Sequence, residues 1–170
     1  MHEHLVQKAK QIKLLLTDCD GVLTDGCVYY SERGEELKKF SLRDGMGVER
    51  LRNICGIDSG IMTRENSEIV RRRGEKLKMQ HLYLGIRDKK EKFLEILEKH
   101  KLSAQEIAYI GDDTNDLEVL ELAGLSASPA DAFEPIKKSV HYICQAPGGA
   151  GAFRELVELI IHLRNENKNP

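Results

Sequence analysis

Short apolar runs alternate with amphipathic stretches along this chain, and no other feature constrains the fold as much. Ile12 to Thr17 reads as an apolar strand, and Gly56 to Met62 contains a second. Leu82 to Leu84 reads as a third, Ile107 to Ile110 as a fourth, Leu125 to Ala127 as a fifth and Val140 to Ile143 as a sixth. Between them, Met46 to Cys55 carries Val48, Leu51 and Ile54 at helical spacing. Glu65 to Leu77 reads as a basic amphipathic helix, and Lys89 to His100, Thr114 to Leu122 and Ala152 to Leu163 as further helices. Ser103, followed three residues on by Glu106, has the form of a capping box. This alternation predicts an α/β fold, a doubly wound parallel sheet with helices on both faces. At 170 residues the expectation is one domain spanning 1–170. One segment breaks the alternation. Cys27 to Tyr30 and Glu36 to Phe40 flank the turn Ser31-Glu32-Arg33-Gly34, which predicts a β-hairpin inserted over about 26–41, too short to be a domain.

Composition matters chiefly for what it excludes. The formal net charge is -2, from 26 basic and 28 acidic residues, and a nucleic-acid partner would call for a basic excess. No apolar run approaches the ~20 residues of a membrane-spanning helix. Met1 to Lys10 is polar and lacks the apolar centre of a secretory signal. The four cysteines form no C-x-x-C pair, so a zinc site is not expected. Cys19, Cys55 and Cys144 sit among apolar neighbours and read as reduced core residues, which fits the cytoplasm.

The chemistry concentrates at strand ends. Asp18-Cys19-Asp20-Gly21 closes the first strand, and alternate residues there point the same way. Two acids beyond the carboxyl end of a parallel strand repel each other unless a cation or shared proton intervenes. Magnesium suits such oxygen ligands. Gly111-Asp112-Asp113-Thr114-Asn115-Asp116 follows the fourth strand directly. Helix capping accounts for Asp113, Thr114 or Asn115, but less readily for the whole cluster. Thr63 follows the second strand, where a hydroxyl can cap a helix or hold a phosphate oxygen. Lys89 opens a helix, a position that disfavours a cation unless an anion lies nearby.

The order D-x-D-G, strand-end Thr, Lys, then G-D-D-x-x-D resembles the haloacid dehalogenase superfamily of phosphotransferases. The likeness runs from about Ile12 to Leu159. It is similar in detail to the cap-less branch whose members dephosphorylate 2-keto-3-deoxy sugar acids such as 3-deoxy-D-manno-octulosonate 8-phosphate. It is carried by Asp18 to Gly26, Arg43-Asp44-Gly45, Tyr109 to Asp113, and Gly148 to Glu155. The resemblance implies a magnesium-dependent phosphatase with no cap domain. Asp18 would be the nucleophile and Asp20 the general acid and base, with Thr63 and Lys89 on the phosphoryl oxygens. Magnesium would be held by the Asp18 carboxylate, the Asp20 backbone carbonyl and Asp112, supported by Asp113 and Asp116. It also implies a homotetramer built through the hairpin, with Gly148 to Gly151 near a neighbouring site.

One departure bears on the substrate. Where many octulosonate phosphatases have Gly and Arg after the Ser or Thr, this chain has Thr63-Arg64-Glu65. Glu65 with Lys76 looks more like relatives acting on nine-carbon ulosonate 9-phosphates. Arg64, Glu65, Arg73 and Lys76 are therefore the candidate substrate-binding residues. The octulosonate remains the first choice. A receiver-like signalling module is the competing class, and the placement of both acids in one D-x-D argues against it. A non-catalytic homologue would be expected to lack Asp18 or Asp20.

Overall fold

The computed structural model describes residues 2–166. In chain order the elements are α1 (His2–Gln11), β1 (Leu14–Thr17), β2 (Tyr29–Ser31), β3 (Gly34–Leu37) and α2 (Leu42–Cys55). Then come β4 (Asp58–Met62), α3 (Glu68–Lys76), β5 (His81–Tyr83), α4 (Lys89–His100) and β6 (Ile107–Ile110). α5 (Leu117–Leu122), β7 (Leu125–Ser128), α6 (Glu134–Ser139), β8 (Tyr142–Ile143) and α7 (Ala152–Asn165) complete the chain. Six strands form one parallel sheet in the order β5-β4-β1-β6-β7-β8. The chain steps outward from β1 to β5, returns to β6 and steps outward the other way. The reversal falls between β1 and β6, where an open α/β sheet parts its loops and receives a ligand.

Both faces of the central strands β1 and β6 are buried, so these strands are continuous apolar runs rather than alternating ones. Leu15, Ile61, Ala108 and Ile110 join the core beneath α2 and α7, with Val48, Leu51, Phe153, Leu156 and Ile160. Leu14, Leu16, Met62, Ile107 and Tyr109 point the opposite way, onto Phe93, Ile96, Val119, Leu120 and Ile136. This is the period of two expected of a strand.

The hairpin pairs Tyr29 with Leu37 and Ser31 with Gly34, around a turn of Glu32 and Arg33 that is tighter than expected. Two helices were not expected from the sequence. α1 carries only a narrow stripe, Leu5, Val6 and Ala9, and buries it against Leu159 and Leu163 of α7. α6 is a short helix with proline in its first turn. α3 begins three residues later than expected. The cause is local: the Thr63 N–H donates to Tyr83 O, the Ile86 N–H to Thr63 O and the Gly85 N–H to Glu65 O. The backbone of Thr63 to Glu65 is thus spent on the loop after β5, and the helix starts only beyond Ser67.

Gly148 to Gly151 packs on the loop after β1 of its own chain. The Gly149 N–H donates to Val22 O at 2.9 Å, and a Cβ at Gly148 would lie 2.0 Å from Gly21 O. Asp44 reinforces this contact. It is 2% exposed and accepts the Arg154 N–H at 2.9 Å, capping α7 from another part of the chain.

Candidate active site

Asp18 leaves the carboxyl end of β1, where its N–H donates to Ile110 O at 2.9 Å and so ties the ends of β1 and β6 together. Its Oδ1 accepts the Cys19 N–H at 2.7 Å and lies 3.0 Å from Lys89 Nζ. The loop then turns tightly, with the N–H groups of Val22, Leu23 and Thr24 converging on Cys19 O. Gly21 adopts φ +88, and a Cβ there would lie 2.0 Å from Asp112 Oδ2. Glycine at this position lets the β1 and β6 loops approach closely enough to share one site.

Asp116 organises the other side. It is fully buried and accepts from Lys89 Nζ at 2.6 Å and Tyr109 OH at 2.5 Å on Oδ1. Its Oδ2 accepts the Asp112 N–H at 3.1 Å. One carboxylate thus fixes the catalytic-side lysine, a core tyrosine and the backbone that presents Asp112. Asp113 is exposed and caps the turn at Thr114–Asp116 through the Thr114 N–H at 2.6 Å.

Asp20 has partners of its own. Both its oxygens lie 2.7 Å from Lys38 Nζ, and Thr24 Oγ1 donates to Oδ1 at 3.2 Å. Lys38 stands just after β3 with its side chain 1% exposed. Sequence reasoning missed Lys38, Thr24 and Tyr109 as parts of the site. Thr24 had a usable signal, since its hydroxyl lies four residues beyond Asp20 on the same tight loop. Lys38 had none, because Lys38-Lys39 on an inserted hairpin reads as a solvated pair.

A pocket of about 380 Å³ opens over this region, lined by Asp18, Asp20, Thr63, Arg64, Glu65, Asp112 and Asp113 to Asn115. Thr63 is 2% exposed, and its Oγ1 accepts the Glu65 N–H at 3.3 Å. Arg73 and Lys76 are not brought to this pocket. Arg73 stacks over Phe40 and donates to Ser41 O at 3.0 Å, while Lys76 lines a separate pocket with Glu49 and Arg52. Glu65 and Lys76 do not share a helix, because α3 begins after Glu65.

The electrostatics favour a bound cation. Burial first, then the Asp116 carboxylate, pushes Asp18 up to about 7 against the pull of Lys89. Burial, Asp18 and Asp116 likewise push Asp112 up to about 8. Burial works against charge on Lys89 as well, but Asp18 and Asp116 outweigh it and hold it above its ordinary value. Oxygens of Asp18, Asp112 and Asp116 lie within 4.8 Å of one another. An all-oxygen set of this kind, with its acids straining against ionisation, fits magnesium. Asp116 spends its oxygens on Lys89, Tyr109 and backbone N–H groups, which leaves Asp18 and Asp112 as the carboxylates free for metal. Chelation is expected to abolish turnover. Asp112→Ala should raise the magnesium needed for half-maximal activity at least tenfold, read by activity titration and calorimetry.

A doubly wound sheet with buried acids and a lysine at its switch point fits a group-transfer enzyme of the α/β class. The family of haloacid dehalogenase-like hydrolases matches residues 68–154, which include Lys89 and Asp112 to Asp116. Curated relatives extend the likeness over Asp18 and Asp20. The 3-deoxy-D-manno-octulosonate 8-phosphate phosphatase KdsC of Yersinia pestis is 38% identical over 159 residues, 94% of this chain and 84% of that one. Its counterpart in Escherichia coli K12 is 39% identical over 157 residues, 92% of this chain and 83% of that one. The 3-deoxy-D-manno-octulosonate 8-phosphate phosphatase of Moraxella catarrhalis, solved with magnesium, phosphate and KDO, superposes with a TM-score of 0.93 at 37% identity. That likeness covers 99% of this chain and 95% of the other. The chain belongs to the haloacid dehalogenase-like hydrolases, and it is a phosphoric monoester hydrolase.

Proposed function

We propose that this enzyme removes the terminal phosphate of a 2-keto-3-deoxy sugar acid, with 3-deoxy-D-manno-octulosonate 8-phosphate as its substrate. The observation that carries the reading is that Asp18 and Asp112 line one polar pocket, with the buried Lys89 ammonium 3.0 Å from the Asp18 carboxylate. The substrate follows from the likeness to the octulosonate phosphatases. Asp18 attacks phosphorus and becomes an aspartyl-phosphate. Asp20 gives a proton to the departing sugar alkoxide and then takes one from the hydrolytic water. Lys89 and the Thr63 hydroxyl hold the transferring oxygens. The Asp18 and Asp112 carboxylates with the Asp20 carbonyl would hold magnesium, which would offset the negative charge that otherwise repels an anionic nucleophile. Asp113 and Asp116 support that arrangement.

Glu65 favours a second reading, a nine-carbon ulosonate 9-phosphate. Its carboxylate lines the pocket, where it can accept from sugar hydroxyls but repels a substrate carboxylate. Arg64 lines the same pocket and can offset that repulsion. Phosphate release from the octulosonate 8-phosphate and from a nine-carbon 9-phosphate should be compared for wild type and Glu65→Arg. We expect the ratio of kcat/KM between the two to move about tenfold in favour of the octulosonate. An unchanged ratio would remove Glu65 from substrate choice, and no release from either compound would reject the substrate class.

We further propose a cytoplasmic homotetramer. The hairpin leaves Val28, Tyr29, Tyr30 and Leu37 exposed, a concentration of apolar surface on an insertion with little core of its own. All four thiols are free. Light scattering should report four chains per particle, and Tyr30→Lys should lower that number. A fully active monomer at assay dilution would oppose this assembly.

A further inference from the structure

Lys38 belongs to none of the motifs read from the sequence, yet it is the partner that holds Asp20. Its ammonium lies 2.7 Å from both Asp20 oxygens and 3.5 Å from Glu35 Oε2. Glu35 Oε1 in turn accepts from Ser67 Oγ at 2.5 Å. An unbroken chain of polar contacts therefore runs from the loop after β1, through the base of the hairpin, to the N-cap of α3. Its central member is shielded from solvent, so the contact is built into the fold and is not a chance surface pair. Among the described residues Asp20 otherwise accepts only from Thr24 Oγ1, and it is not one of the acids, Asp18, Asp112 and Asp116, whose oxygens lie within 4.8 Å of one another. A carboxyl group that trades a proton with a substrate oxygen must be aimed within a few tenths of an ångström. A single hydroxyl contact at 3.2 Å leaves the carboxylate free to rotate about its own bonds.

We propose that Lys38 is a positioning residue for the reaction: it aims the Asp20 carboxyl for proton transfer to the leaving group, and the hairpin base thereby becomes part of the active-site wall. This rests on the reading of Asp20 as general acid. In this role Lys38 itself exchanges no proton with the substrate and acts only through the Asp20 carboxyl. Its contribution is therefore largest where the leaving oxygen needs a proton, and small where it does not.

The test uses the leaving group. An alkyl phosphate expels a basic alkoxide and needs the acid, whereas 2,4-dinitrophenyl phosphate expels a stable anion and does not. Because kcat/KM reports the steps up to cleavage of the P–O bond, it is measured for both substrates with wild type, Lys38→Met and Asp20→Asn. We expect Lys38→Met to lose at least tenfold more on the alkyl phosphate than on the aryl phosphate, a smaller version of the selective loss in Asp20→Asn. Glu35→Gln, which loosens Lys38 from its far side without removing it, should shift the ratio the same way by about two- to threefold. It also serves if Lys38→Met fails to fold. Equal losses on both substrates would mean that Lys38 merely attracts the anionic phosphate or supports the hairpin, and would overturn the proposal. So would an unchanged ratio in a folded Lys38→Met enzyme whose Asp20→Asn counterpart is selective. If Asp20→Asn shows no selectivity, the reading of Asp20 as acid fails and the role of Lys38 falls with it.

Discussion

Asp18→Asn is expected to lower turnover on the order of 10⁴-fold or more while leaving the fold intact. The amide keeps the size of the carboxylate and can still accept the Cys19 N–H, which now meets Oδ1 at 2.7 Å. What it loses is the anionic oxygen that would attack phosphorus. No neighbouring group is placed to substitute. Asp112 is the next carboxylate in the cluster, but it sits on the β6 loop, and its proposed part is to hold metal. Asp116 is spent on Lys89 and Tyr109. The substitution also removes one charge from a set of acids that raise one another, so the thermal midpoint without magnesium should stay level or rise. Wild type rapidly quenched during turnover should carry a phosphoryl group on the peptide containing Asp18, seen by mass spectrometry, and Asp18→Asn should not. A variant with near wild-type rates would sink the nucleophile assignment.

Asp116→Ala should produce the largest loss of stability among the site residues, about 3–5 kcal/mol, because it strips the partner from a buried charge. Four donors converge on this one carboxylate: the Lys89 ammonium, the Tyr109 hydroxyl and the Asp112 and Asp113 N–H groups. Lys89 Nζ, 1% exposed, would keep only Asp18, at 3.0 Å. The Tyr109 hydroxyl, fully buried, would lose its acceptor at 2.5 Å, and an unpaired buried donor carries its own penalty. The Asp112 N–H would lose the contact that helps present the Asp112 carboxylate. The urea midpoint should fall sharply, and magnesium should restore part of the loss by binding the folded state alone. Asp116→Asn, which keeps an acceptor for Tyr109 but not the charge for Lys89, should fall between Ala and wild type. An unchanged midpoint in the alanine variant would show that the Lys89 ion pair contributes nothing net.

The central strands could be read directly because both of their faces are buried. Leu14-Leu15-Leu16 and Ile107 to Ile110 are apolar throughout, and runs this short between turn residues suit a strand buried on both faces better than a helix. The D-x-D-G and G-D-D-x-x-D motifs were legible for a related reason. Acids are uncommon at the end of an apolar strand, so five in two clusters stand out against their neighbours. The helix over Lys89–His100 was readable from its own periodicity. α1 and α6 were not, since α1 offers three apolar residues whose partners lie on α7, at the other end of the chain.

The sequence by itself therefore determined the class of fold, the two acidic loops and the presence of Thr63 and Lys89, since each depends on residues close together in the chain. The tertiary structure alone decided which of these meet. Strand order cannot be read locally, and it is the β1–β6 adjacency that brings Asp18 to Asp112 and Asp116. The start of α3 was decided by hydrogen bonds to the loop after β5, which separate Glu65 from Lys76. Lys38 reaches Asp20 only because the hairpin folds back over the first loop, burying an ammonium that in sequence is one of a pair of lysines. Burial, and with it the strength of every charge in the site, is a property of the whole packed chain.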